Sequence, residues 1–73
     1  MAGWSKSVLS EMVSEVGWDP DTEELTVTFS KNGKTAAYKG FDEGTAEKLS
    51  KAYSVGSMFL NEIKPFASGW RYV

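Results

Sequence analysis

The spacing of apolar and polar positions changes period along this chain, and each change marks an element. Leu25, Val27 and Phe29 alternate with Thr26, Thr28 and Ser30, the two-residue period of a strand with one buried face and one wet face. Asn32-Gly33 follows at once. This is a strong signal for a two-residue hairpin, because a type I′ turn asks for positive φ at both positions. Thr35 to Tyr38 then returns as the partner strand. Upstream, Val8, Leu9, Met12, Val13 and Val16 fall on a helical stripe, yet Val16-Gly17-Trp18 reads better as a strand running into a turn. A short strand is expected around Val13 to Trp18, with residues 1–10 only partly ordered. The run Asp19-Pro20-Asp21-Thr22-Glu23-Glu24 is turn chemistry: Pro20 presets φ, and Asp19 and Asp21 can bond their own backbone.

Beyond Gly40 the period becomes helical. Asp42 stands where it can N-cap a helix whose Ala46, Leu49, Ala52 and Tyr53 share one face. Ser54 ends that stripe and can cap a second, shorter helix, where Val55, Phe59 and Ile63 recur every four residues and Met58 flanks them. Pro65 takes Lys64 out of the helical region and closes the element. Ser54-Val55-Gly56 is therefore a joint, with capping and close backbone packing sufficient to explain it. The expected fold is α+β: a three-stranded antiparallel β-meander packed against two short C-terminal helices.

Composition narrows the chemistry. A chain of 73 residues makes one domain that buries roughly 60% of the surface its unfolded chain exposes. There is no cysteine and no histidine, and the apolar mass comes from three Trp, three Tyr and four Phe. Disulfides and thiolate metal sites are excluded. No run of 18 apolar residues and no signal-peptide pattern occurs, so a soluble cytoplasmic protein is expected. The net charge of −2 hides an asymmetry. Residues 1–30 set one cation, Lys6, against six anions, whereas residues 31–73 set seven cations against four anions. Such a split suits a basic face that meets phosphates or an acidic protein surface. It suits equally a solvated surface carrying both signs.

Several stretches together resemble the KTSC domain. They are Gly17-Trp18-Asp19-Pro20, Leu25-x-Val27-x-Phe29, Gly33, Tyr38 and, most specifically, Ala52-x-Ser54-x-Gly56-x-x-Phe59-x-Asn61-x-Ile63. The resemblance covers about residues 13–64. That family consists of small bacterial and phage proteins, and the module also extends some lysyl-tRNA synthetases. Three departures stand out. Ala36 occupies a usual aromatic position, Phe41-Asp42 replaces the Val-Pro that usually enters the helix, and the cysteine of the family's name is absent. Any role tied to that cysteine does not carry over. The resemblance implies a β-meander on helices and work near RNA or the transcription and translation machinery, and it implies no reaction. Length and a lone domain are also similar to those of a small phage-encoded regulator that binds host bacterial RNA polymerase.

Catalysis is not expected. Without His or Cys it would fall to carboxylates, Lys or Tyr, and the carboxylates gather in turn-like stretches where water solvates them. Asp19, Asp21 and Glu23 alternate like calcium ligands, but the glycine and twelfth-position glutamate of an EF-hand loop are missing. Asn32-Gly33-Lys34-Thr35 ends like a phosphate loop, yet Thr28 stands where the first glycine belongs. No cofactor and no metal are expected.

Binding is the stronger reading, and the tail at residues 65–73 carries it. Lys64, Phe66, Trp70, Arg71 and Tyr72 are the candidate partner-binding residues, since Trp, Tyr and Arg dominate interface hot spots. The tail alternatively folds back as another strand or plugs an apolar gap; this structural alternative is preferred for Phe66 and stands level with binding for Trp70, Arg71 and Tyr72. Lys31, Lys34, Lys39, Lys48 and Lys51 form a candidate basic strip. Trp18 and Phe29 are expected in the core, and Trp4 is either an anchor or an exposed contact. Two functions follow. The first is a non-enzymatic, monomeric regulator that binds a protein, a bacterial RNA polymerase subunit above all, and acts by occlusion or factor displacement. The second is a module for RNA or single-stranded nucleic acid, which the slight acidity of the chain disfavours.

Overall fold

Five strands, each paired antiparallel with its neighbour, and a helical segment laid on one face build the structure. It is a computed structural model that describes residues 3–73. In order along the sheet they are β1 (Trp4–Ser7), β2 (Val13–Asp19), β3 (Glu24–Phe29), β4 (Thr35–Lys39) and β5 (Gly69–Tyr72). Between β4 and β5 come α1 (Glu43–Ser50), α2 (Val55–Met58), a wide π turn (Phe59–Ile63) and a 3₁₀ turn (Lys64–Phe66). The α+β class and the central meander agree with the sequence, but the sheet has five strands rather than three. Both additions are edges. β1 lies in the segment expected to be only partly ordered, whose residues 1 and 2 fall outside the described residues. β5 is the tail, folded back on β4.

One face of the sheet is the core. Val16 and Trp18 of β2 register with Val27 and Leu25 of β3, which register with Ala36 and Tyr38 of β4. Ala46 and Leu49 of α1, Val55 of α2, and Phe59 and Ile63 of the π turn bury against them. Trp18 is buried and Phe29 packs on the cluster, as expected for core residues. Trp4 is an anchor: it sits opposite Trp18 and its indole N–H donates to Glu43 Oε2 of α1 at 2.8 Å. Gly17 is required where β1 crosses. A Cβ there would lie 2.5 Å from Thr26 Oγ1 and 2.6 Å from Trp4 O.

The predicted caps are present. Asp42 Oδ1 accepts from the Thr45 N–H and the Thr45 hydroxyl, each at 2.8 Å, and these bonds hold its carboxyl below the usual aspartate range. Ser54 Oγ accepts from Ser57 N. Three expectations are corrected. Only Gly33 takes positive φ at the hairpin tip, at 71°, so the reversal is a longer loop closed by Phe29 N to Lys34 O. Asn32 contributes its side chain instead, accepting from Lys34 N at 3.0 Å. α1 ends at Ser50, so Tyr53 leaves the apolar stripe and is fully solvent-exposed. Lys64 keeps helical φ and ψ. Its N–H reaches back to Phe59 O across the π turn, and Pro65, with no N–H to donate, sits inside the following 3₁₀ turn. Among the described residues no helix is long and apolar enough to cross a membrane.

Candidate functional site

Strand periodicity decides what the tail can do. In β5, Trp70 registers with Tyr38 and Tyr72 with Ala36, so both rings fall on the helix-bearing face. Arg71 registers with Ala37 and points the other way. There it reaches over β4 to Glu24 at the start of β3, with Nη2 to Oε1 at 2.9 Å and Nε to Oε2 at 3.3 Å. Glu24 is only 1% exposed. The hydrogen bond from Arg71, assisted by Thr22, holds its carboxyl below the ordinary value of 4.5, and Glu24 in turn raises the guanidinium pKa. Arg71 is thus a clasp between β3 and β5 rather than a free anchor.

On the helix-bearing face the α-helices stop short of β5, and an open groove of about 700 Å³ lies between the helical segment and the edge strand. Its floor is a continuous row of rings. Phe29 and Tyr38 each meet Phe59 edge-on, at 5.7 and 5.3 Å. Tyr38 stacks under Trp70 at 6.2 Å, and Trp70 meets Tyr72 edge-on at 5.1 Å. Edge-to-face and offset geometries of this kind are the favoured ones for aromatic pairs. Burial, and secondarily the neighbouring Tyr72, push the Tyr38 phenol above its ordinary value of 10.0. Trp70 and Tyr72 nevertheless keep 57% and 54% of their surface exposed, and Leu60 keeps 43%.

Charge at the rim is mainly positive. Lys31 and Lys64 line the groove, with Glu11 as the acidic exception, and Lys34 places Nζ 5.4 Å over the Tyr72 ring. Of the tail residues singled out in the sequence, the structure gathers Lys64, Trp70 and Tyr72 here. It sends Arg71 to the opposite face and leaves Phe66 outside the groove, exposed rather than plugging a gap. The five lysines of the basic strip do not share a surface. Lys31 and Lys34 flank the groove, Lys39 alternates with Tyr38 onto the far face, and Lys48 and Lys51 belong to α1 and its C-cap. The sequence reading missed Met12, Tyr38, Phe59 and Leu60 as groove residues. The two-residue alternation of Trp70, Arg71 and Tyr72 was the available signal, once the tail is assigned as a strand. Among the described residues no group of three or more His, Cys, Asp or Glu is placed to hold a metal ion.

Comparison with known proteins is consistent with this architecture. The family model of the KTSC domain matches residues 9–66. The crystal structure of a KTSC domain protein from Yersinia pestis is similar at a TM-score of 0.83 and 29% identity, with 99% of each chain covered. No curated protein matches the chain.

Proposed function

The chain belongs to the KTSC domain family, and on that premise we propose that it is a non-enzymatic regulator whose groove beside β5 receives a segment of a protein partner. One observation carries this reading: two rings more than half exposed are held in place by packing, Trp70 stacked on the buried Tyr38 and Tyr72 set edge-on against Trp70. Exposed aromatics held rigid by packing bind with little loss of side-chain freedom, which is what hot-spot residues supply. A subunit of bacterial RNA polymerase, the partner suggested by the similarity in length and lone domain to a phage-encoded regulator, belongs to the same proposal, and so does a cytoplasmic setting. The mechanism is occlusion or factor displacement: a small rigid domain covers ~800 Å² of its target and excludes a competing factor from it.

The test is capture of purified, nuclease-treated bacterial RNA polymerase by the tagged chain. Leu60→Glu, and Trp70→Ala combined with Tyr72→Ala, are expected to reduce capture at least about tenfold, the scale of one hot-spot residue. Undiminished capture by both variants would remove the groove as the site. The lysines beside the exposed rings favour a second reading, in which bases stack on Trp70 and Tyr72. Its signature is binding that vanishes with nuclease and falls steeply with salt.

A further inference from the structure

We infer that the segment received by this groove is extended, adds to the sheet as a sixth strand along β5, and alternates apolar with acidic residues. The inference rests on the proposed binding role of the groove and specifies the chemistry of its occupant. Val73 N donates to Thr35 O at 2.9 Å, which makes Thr35 and Val73 a hydrogen-bonded pair. Antiparallel pairing alternates, so Arg71 also directs its N–H and C=O at β4, opposite Ala37. Trp70 and Tyr72 therefore direct theirs away from β4, to the open edge of the sheet. The two residues whose rings face the groove are the two whose backbone groups lack a strand partner.

An extended chain laid there satisfies all four groups, and over the four residues of β5 it spans roughly 13 Å. Its alternate side chains fall on the groove side, against Trp70, Tyr72 and Leu60, in the manner of strand addition to an exposed edge. A helix lying in the groove would leave the edge unpaired. The usual guards of an edge are weak here: β5 contains no proline, and its one charge, Arg71, is engaged with Glu24. Lys31, Lys34 and Lys64 stand around the groove against the single carboxylate of Glu11. Complementarity therefore favours carboxylates on the incoming segment and disfavours a basic one.

The experiment is selection of twelve-residue peptides from a random displayed library on the full chain, followed by amide hydrogen exchange of the chain with the best synthetic binder. Selected sequences are expected to alternate apolar residues with Asp or Glu. The bound peptide should slow exchange at the Trp70 and Tyr72 amides at least about tenfold, as protection by new hydrogen bonds does. Reversing Lys31, Lys34 and Lys64 to Glu should turn the selection toward basic peptides. Binders rich in Lys or Arg, binders that leave Trp70 and Tyr72 exchange unchanged, or a selection without binders would each overturn the inference. Polymerase capture that still depends on Trp70 and Tyr72 in those cases would leave the groove reading standing. Loss of that dependence marks the failure of the groove reading itself.

Discussion

The two edges of the sheet begin alike and end differently. β1 and β5 are both four residues long, and each sets one tryptophan on the helix-bearing face against an aromatic of the next strand, Trp4 on Trp18 and Trp70 on Tyr38. Trp4 is partly covered. It packs against the core cluster, Glu43 at the start of α1 takes its N–H, and Lys6 lies 5.1 Å over its ring. Trp70 has a ring beneath it and solvent above. The difference arises in the helical layer, where α1 packs on β2 and its first residue reaches Trp4, while the second helical segment ends in turns before it reaches β5. One tryptophan is thereby a structural fastening and the other an available surface. Residue type alone does not separate the two roles.

Five changes break or sharpen that contrast. Phe59→Ala removes the buried ring on which both Phe29 and Tyr38 lean, and it should cost about 3–5 kcal/mol, seen as a large fall in the urea midpoint with the groove lost. Trp4→Ala should cost about 2 kcal/mol, since it deletes a partly buried ring packed against the core cluster. Trp70→Ala should cost under about 1 kcal/mol. Partner capture should invert the order of the two tryptophans, unaffected by Trp4→Ala and lost with Trp70→Ala. Acid should loosen the open edge. Glu24 is depressed below 4.5 in the folded chain, so the stability it contributes is complete above that ordinary value and disappears as pH falls through the depressed one. Urea titrations from about pH 6 to about pH 3 should show Glu24→Gln lacking that part of the pH dependence. The smallest effect is that of Glu43→Gln, about 0.5 kcal/mol, confined to the covered edge and visible as a change in Trp4 fluorescence with capture intact.

How much of this was legible follows from how each residue declares itself. β3 announces its faces by alternation, Asn32-Gly33 announces the return of β4, and Asp42 and Ser54 announce the helix starts, because strand period, turn chemistry and capping are local properties. The edge strands are not local in this sense. Trp4-Ser5-Lys6-Ser7 offers one apolar position in four, and β5 alternates two rings with Gly69 and Arg71, so neither resembles a half-buried strand until a neighbour is in place. Tyr53 fails for a related reason: it keeps helical spacing with Leu49, but α1 stops at Ser50 and spacing no longer fixes direction. In the groove, Trp70 and Tyr72 were visible as residue types. The separation of Arg71 from them was not, because it depends on which strand the tail pairs with and on Glu24, 47 positions away.

The order of strands also sets a timetable for folding. β1 to β4 pair through short local reversals, the kind of contact that forms early. β5 must wait for residues 40–68 to fold before it finds β4, and closing so long a loop carries an entropic cost that its four register pairs and one clasp offset last. The final strand to arrive is also the one with least to lose by leaving. Native-state hydrogen exchange should therefore show the amides of β5 opening as a unit, at lower free energy than β2 to β4. In such a molecule the binding edge and the latest-folding element coincide, so an occupant of that edge would slow its opening as well as fill it.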